Sequence, residues 1–158
     1  MTIDDDGTDF YCDIAIPRAA ELERPAVGRS VQAGRMDAAA VLTRLAEVID
    51  AHDWDELPAL LHGEFTCRLV HTGEVFGREQ WVWFNADYPG FERMHVEDLV
   101  ADGDRAVLRA TVIGRGEAGE EQVFAVASFA TVRDGLVVDL TEVWADVGQE
   151  APEGTRQV

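Results

Sequence analysis

Apolar side chains recur at helical spacing in the first well-patterned stretch of the chain. Val41, Leu45 and Val48 lie three or four positions apart, so they share one face of a helix. Asp37 stands just before this stretch, where a short polar side chain can cap the first backbone N–H groups. The pattern therefore predicts an amphipathic helix that begins after Asp37.

Two more helices are predicted further along the chain. A short one is expected from Asp53 onward, with Pro58 near its first turn, where proline is tolerated. A longer one is expected over residues 77–87, and the turn sequence YPG at residues 88–90 ends it. The chain thus carries three helical segments before its longest strands.

The remaining stretches alternate apolar and polar positions, which is typical of strands with one buried face. A strand is predicted over residues 65–70, and residues 71–76 form a turn that leads into a short strand. Four longer strands follow, joined in part by Asp-Gly turns, over residues 91–101, 105–114, 122–132 and 135–145. Helices followed by an antiparallel meander indicate an α+β domain.

The two ends of the chain lack this patterning. Residues 1–35 show no sustained period and contain interrupting Pro and Gly, so we interpret them as an N-terminal extension, flexible or draped over the domain. Residues 36–147 form the predicted domain. Residues 148–158 are interpreted as a frayed tail.

Charge and cysteine content limit the classes of binding partner and the cellular location that we expect. Thirteen basic residues, all arginine, face 31 acidic ones, giving a formal charge of −18. Such a field repels phosphate groups and anionic lipids, so neither nucleic acid nor a membrane is expected as partner. Two cysteines without metal spacing, Cys12 and Cys67, are interpreted as reduced thiols. With an acidic amino end unlike a signal peptide, they favour a cytoplasmic location.

Four segments of the chain resemble SnoaL-like domains of the nuclear transport factor 2-like superfamily. They are AHDWDELPALL at residue 51, GREQWVWFNADYPG at residue 77, VADGDRAVLRA at residue 100 and FATVRDGLVVDLTEVW at residue 129. The resemblance implies a cone: a curved antiparallel sheet wrapped around three N-terminal helices, with a pocket at its open end. It also implies a homodimer through the outer face of the sheet, where apolar Val107, Ile113, Val137 and Val143 are expected.

Alternation along the last strand singles out one carboxylate. Val138, Leu140, Glu142 and Trp144 share its more apolar face, which should line the cone. Desolvation there would raise the pKa of Glu142 and suit it to proton transfer. The resemblance adds that SnoaL-like cyclases use an acidic catalyst near this point. The alternative is that Glu142 pairs with an arginine or lies at a solvated mouth.

Other residues complete the expected site. His71 and Tyr88 are candidates to orient a substrate beside Glu142, since an imidazole exchanges protons near neutral pH. Ligand contacts are assigned to an aromatic and aliphatic wall of Trp81, Phe84, Val138, Leu140 and Trp144. His95 is expected to face outward, while the face that carries Arg109 is ambiguous from the pattern.

Comparison with known chemistries of this fold weakens the case for an epoxide hydrolase and excludes ketosteroid isomerisation. Epoxide hydrolases of the fold need an aspartate two positions after an arginine, whereas Thr111 follows Arg109. The positions that ketosteroid isomerases need for catalysis correspond to Leu45, Leu69 and Ser128, which cannot do that chemistry. No phosphate-binding loop, dinucleotide fingerprint, serine elbow or zinc spacing occurs, so no cofactor or metal is expected.

Two functions remain open. The first is a cofactor-independent isomerase, cyclase or hydratase-type enzyme acting on a small apolar molecule, with Glu142 moving a proton. The second is a non-catalytic ligand-binding or dimerisation module. A buried carboxylate within hydrogen-bonding reach of His or Tyr favours catalysis, and a buried carboxylate alone favours binding.

Overall fold

The computed structural model of the protein describes residues 37–148. The elements are helix α1 (Ala38–Asp50), a 3-10 turn (Leu57–Leu60), strands β1 (Leu61–Leu69) and β2 (Val75–Gly77), helix α2 (Arg78–Ala86), and strands β3 (Phe91–Asp102), β4 (Arg105–Arg115), β5 (Glu121–Arg133) and β6 (Leu136–Asp146). This is the expected α+β arrangement. The extension over residues 1–35 and the tail beyond residue 148 lie outside the described residues.

Helix α1 begins as its sequence predicts. The Asp37 carboxylate accepts a hydrogen bond from the Ala40 N–H at 2.8 Å, which satisfies one of the free donors of the first turn. The stripe containing Val41, Leu45 and Val48 is buried, so the predicted apolar face is the packed face. The helix lies against β3, β4 and β5.

The second predicted helix is corrected to one turn of 3-10 helix. Pro58 lies in this turn, and the backbone becomes extended at Leu61, with φ −106° and ψ 132°. Leu61 is already a strand residue, because it pairs with Val137 of β6. Because Leu61 must be extended to pair with β6, the 3-10 turn ends after four residues. The described part of the chain therefore contains two α-helices and not the three expected.

The six strands form one curved, open sheet in the order β2-β1-β6-β5-β4-β3. Neighbours are antiparallel except β1 and β6, which run parallel, so the expectation of an antiparallel sheet is wrong for this pair. A parallel pair requires a long connection between its strands, and α2 with four further strands supplies it here. The concave face of the sheet packs on α1, while α2 packs on β1.

A β-bulge changes the faces of β6 near its start. The pairing with β5 shifts by one residue between Thr131 and Val132, so Val137 enters the core with no exposed surface. Val138 is displaced to a half-buried position. Strict alternation, which put Val138 inside and Val137 on the outer face, is therefore wrong at these two residues, although it holds from Leu140 onward.

The buried core lies between α1, the 3-10 turn, α2 and the concave face of the sheet. Its largest fully buried side chains include Trp81, Leu42, Leu57 and Leu108. Neither helix between residues 37 and 148 has the length and apolar content to cross a bilayer.

Candidate functional site

A cavity of about 410 Å³ opens between the ends of the helices and the concave face of the sheet. Every element but the 3-10 turn and β2 contributes to its lining, together with the loops after α1, β1 and α2. Its walls are mainly apolar. The volume is within the range of small-molecule sites in proteins, roughly 300–1,000 Å³.

Glu142 lies in the wall of this cavity, on the inner face of β6. Its side chain is only 7% exposed. Ser128 Oγ donates to one carboxylate oxygen at 3.4 Å, and the Trp144 indole N–H donates to the other at 3.1 Å. Burial raises the pKa of Glu142, while the hydrogen bonds from Trp144 and Ser128 oppose that rise. The environment therefore favours a carboxyl group that holds its proton more tightly than usual.

The register of the sheet explains this environment. Glu142 pairs with Ser128 of β5 on one side and with Leu69 of β1 on the other. Trp144 is two residues further along β6 and so shares the same face. The ion pairs of the described arginines go to other carboxylates, and none of them involves Glu142. The arginine partner considered as an alternative is not found between residues 37 and 148.

Cys67 lies near this carboxyl group on β1, fully buried. Burial raises the pKa of its thiol, and the negative charges of Glu142 and Asp139 raise it further. A thiol in this setting stays protonated and is a poor nucleophile.

His71 and Tyr88 both reach the cavity. His71 follows β1 and Tyr88 follows α2, and both are exposed at its mouth. Among the described residues, the side-chain hydrogen bonds of Glu142 come from Ser128 and Trp144 and not from either of these two. The structure therefore brings the three expected catalytic residues to one cavity without linking them.

The expected ligand wall is brought to the cavity only in part. Phe84 and Trp144 line it. Trp81 points instead into the core against Phe65, at 5.2 Å between ring centroids, because it lies on the face of α2 that packs on β1. Leu140 lies on the inner face but is fully buried in the core, and the bulge moves Val138 out of the inner face. These three residues are not among those that line the cavity.

Other lining residues were not anticipated from the sequence. Trp54 and Phe124 add two aromatic side chains, and Asp146 adds a second carboxylate. Extending the alternation of Glu142 and Trp144 by one more step would have identified Asp146. Trp54 and Phe124 carry no such signal, since they come from a loop and from β5. Phe91, which the sequence predicts as part of the aromatic wall, also lines the cavity.

Arg109 and His95 lie on the outer face of the sheet. Arg109 forms an ion pair with Glu97 on β3, and Thr111 Oγ1 donates to the same carboxylate. His95 pairs in register with Thr111, so it shares that face, as expected. Arg109 is thus directed away from the cavity and from Glu142.

A family model for the SnoaL-like domain matches residues 42–140. This match spans more than half of the chain, and the chain belongs to the SnoaL-like domain family. Curated proteins offer no match to the sequence.

Solved structures with the same fold support the assignment. A protein from Kribbella flavida, named provisionally as a ketosteroid isomerase, is 26% identical, with a TM-score of 0.65 over 77% of this chain and 88% of that one. IdmH from Streptomyces antibioticus, named provisionally as a polyketide cyclase, is 20% identical, with a TM-score of 0.61 over 69% and 92%. A protein from Catenulispora acidiphila in complex with trimethylamine is 17% identical, with a TM-score of 0.58 over 65% and 82%.

Proposed function

We propose that the cavity binds a small, mainly apolar molecule and that Glu142 transfers a proton to or from it. The protein would then be a cofactor-independent enzyme of the isomerase, cyclase or hydratase type. The observation that carries this proposal is a carboxyl group at 7% exposure in the wall of an apolar cavity, hydrogen-bonded only to neutral donors among the described residues. The similar protein from Streptomyces is named provisionally as a polyketide cyclase, which belongs to the same class of reactions.

The position of the proton follows from the hydrogen bonds. An indole N–H can only donate, so the Glu142 oxygen that faces Trp144 acts as an acceptor. In the neutral acid the proton would then reside on the other oxygen, beside Ser128, whose hydroxyl would accept from it instead of donating. His71 and Tyr88 at the cavity mouth would orient the substrate toward this oxygen.

The experiment is proton exchange in D₂O. Cyclic and aromatic ketones are incubated with the protein, and loss of the α-proton signal is followed by NMR. We expect Glu142→Gln to slow protein-dependent exchange by about 10²–10⁴-fold, the usual contribution of a general acid or base. Glu121→Gln, on an exposed carboxylate at the start of β5, is the matched control and should leave the rate unchanged. An unchanged rate in Glu142→Gln would refute the catalytic role.

A binding module without catalysis is the second candidate. It is favoured by one observation, since the Glu142 carboxyl is held by Ser128 and Trp144 and not by His71 or Tyr88. Under this alternative, ligands that perturb NMR signals of cavity residues show no exchange, and Glu142→Gln changes only affinity.

We also propose that the protein is a cytoplasmic homodimer joined through the outer face of the sheet. Val100, Phe129 and Val143 on that face are 65%, 41% and 42% exposed, which is unfavourable for large apolar side chains left in water. Sedimentation at high micromolar concentration should show a dimer, and Phe129→Glu should dissociate it. Val75→Glu, on an exposed valine of β2, should not. Wild-type protein that sediments only as a monomer would contradict the dimer.

A further inference from the structure

Between residues 37 and 148, six aromatic side chains line the cavity: Trp54, Phe84, Tyr88, Phe91, Phe124 and Trp144. They come from the loop after α1, from α2 and the loop beyond it, and from β3, β5 and β6. Several contact one another edge to face, with Phe84 and Tyr88 at 5.4 Å and Phe124 and Trp144 at 6.4 Å between centroids. The faces of such rings carry negative partial charge and attract cations.

The ionisable side chains that residues 37–148 contribute to the lining are mainly acidic. Glu142 and Asp146 contribute carboxyl groups, and none of the arginines that the structure describes contributes to the lining. Among the described lining residues, the one basic side chain is the imidazole of His71. The whole chain has a formal charge of −18, which adds a negative potential over the surface. An anionic ligand would therefore meet like charge on its approach and carboxyl groups inside the cavity.

We propose that the ligand of this cavity is an organic cation, a compact apolar body that carries a tertiary or quaternary ammonium group. The aromatic rings would surround the apolar body and the alkyl groups on nitrogen, while Glu142 serves as the counter-ion. A quaternary group has no N–H donor, so it loses less hydration than a primary ammonium on entering an aromatic site. This inference rests on the proposed function in one respect, that the cavity is the ligand site.

The proposal requires a particular pH dependence. Burial raises the pKa of Glu142 in the empty cavity, so binding a cation must draw the carboxyl group toward its ionised form and release a proton. Affinity for the cation therefore rises with pH. The other titratable groups near Glu142 are Cys67 on β1, His71 and Tyr88 at the mouth, and Asp146 on β6. A variant at Glu142 is therefore needed to separate its effect from that of these other groups.

The experiment compares two probes of nearly equal shape. Phenyltrimethylammonium carries the charge, and tert-butylbenzene replaces its nitrogen with carbon. Binding is followed by NMR through the Trp144 indole N–H at constant ionic strength, from pH 5 to pH 8. We expect the cation to bind at least about tenfold more tightly than the isostere at pH 8, a difference of about 1.4 kcal/mol. The preference should shrink toward pH 5.

Three variants test whether the preference for the cation depends on Glu142. Glu142→Gln should reduce the preference for the cation by about tenfold and remove most of its pH dependence, while the affinity for the isostere stays unchanged. Glu121→Gln should change neither, which controls for the general negative field. Trp83→Ala removes an indole that is 69% exposed and outside the cavity, so it should leave the binding intact and exclude a surface cation site.

The outcomes distinguish this inference from the function proposed above. Equal affinities for both probes at every pH would overturn the cationic ligand and leave the cavity as an apolar ligand site. A preference that persists in Glu142→Gln would also overturn the inference, because the counter-ion would lie elsewhere. Failure of both probes to perturb the cavity at millimolar concentration would overturn the inference and the proposed function together.

Discussion

Glu142 is an acid whose folded environment favours the protonated form. Its pKa is raised by burial, and its ordinary value is about 4.5. The folded state therefore binds its proton more tightly than the unfolded state does. The stabilising contribution is complete below the unfolded pKa and is lost as pH rises through the folded pKa. Each unit of upward shift corresponds to about 1.4 kcal/mol.

Replacing this acid with its neutral analogue should remove that pH dependence. Glu142→Gln keeps an oxygen that can accept from Trp144 and an amide that can donate to Ser128. We expect the variant to unfold at a higher temperature than wild type at pH 8 and at nearly the same temperature at pH 4. Calorimetry at both values measures the difference. A variant less stable than wild type at pH 8 would contradict a desolvated, unpaired acid.

Trp144 sets how strongly Glu142 resists ionisation. Its indole N–H donates to the carboxylate at 3.1 Å and stabilises the charged form. Trp144→Phe keeps a ring but loses the donor, so the pKa of Glu142 should rise further. Ser128→Ala should raise it less, because that hydrogen bond is longer, at 3.4 Å. A ¹³C titration of the Glu142 carboxyl measures both shifts, and a fall in either variant would contradict the assignment.

At the scale of elements, the bulge in β6 gives two neighbouring valines different degrees of burial. Val137 has no exposed surface, whereas Val138 is half-buried. Val137→Ala removes two buried methyl groups and leaves a cavity, so it should cost about 2 kcal/mol of unfolding free energy. Val138→Ala should cost less than about 1 kcal/mol. Chemical denaturation compares them, and the reverse order would show that the strand alternates without interruption.

The same strand shows how far its sequence could predict its structure. Alternation correctly placed Leu140, Glu142 and Trp144 on the inner face, because beyond the bulge side chains keep a period of two. It failed at Val137 and Val138, because a bulge depends on how two strands pair and not on one strand's own pattern. The parallel pairing of β1 with β6 joins strands far apart in the sequence, so no local sequence pattern predicts it.

For helix α2, the sequence predicted the position of the element but not which of its side chains reach the cavity. Its position was predicted within one residue at each end, since a glycine precedes it and a turn sequence follows. Which aromatic residues face the cavity was not predictable from that position. Trp81 packs on β1 and Phe84, less than one turn later, reaches the cavity. The outcome depends on how the helix is rotated against the sheet, which tertiary packing determines.

At the scale of the whole molecule, negative charge dominates. Thirteen arginines cannot balance 31 acidic residues, and the described ion pairs, such as Arg44 with Glu56 and Arg115 with Glu92, are largely exposed. Exposed pairs contribute little, whereas the self-repulsion of a charge of −18 opposes the compact state.

Salt should therefore stabilise the protein. Raising NaCl from 10 mM to 150 mM shortens the screening length to about 8 Å and weakens the repulsion. A gain on the order of 1 kcal/mol would raise the Tm by about 2–8 °C for a domain of this size. Calorimetry in the two buffers measures the change. A lower Tm in salt would mean that attractive ion pairs outweigh the net charge.

The parallel pairing of β1 with β6 also has a consequence for how the chain folds during its synthesis. Thr66 and Asp139, which join these strands by a hydrogen bond, are 73 residues apart. The β6 side of β1 has no neighbour until the last strand has left the ribosome, and pairings this distant form slowly. Glu142 is on β6. Its carboxyl group is therefore removed from solvent in the same step in which β6 joins β1 and β2 to β3–β5. A chain truncated before Leu136 would thus leave β1 and β2 detached from β3–β5, without the carboxyl group of the site.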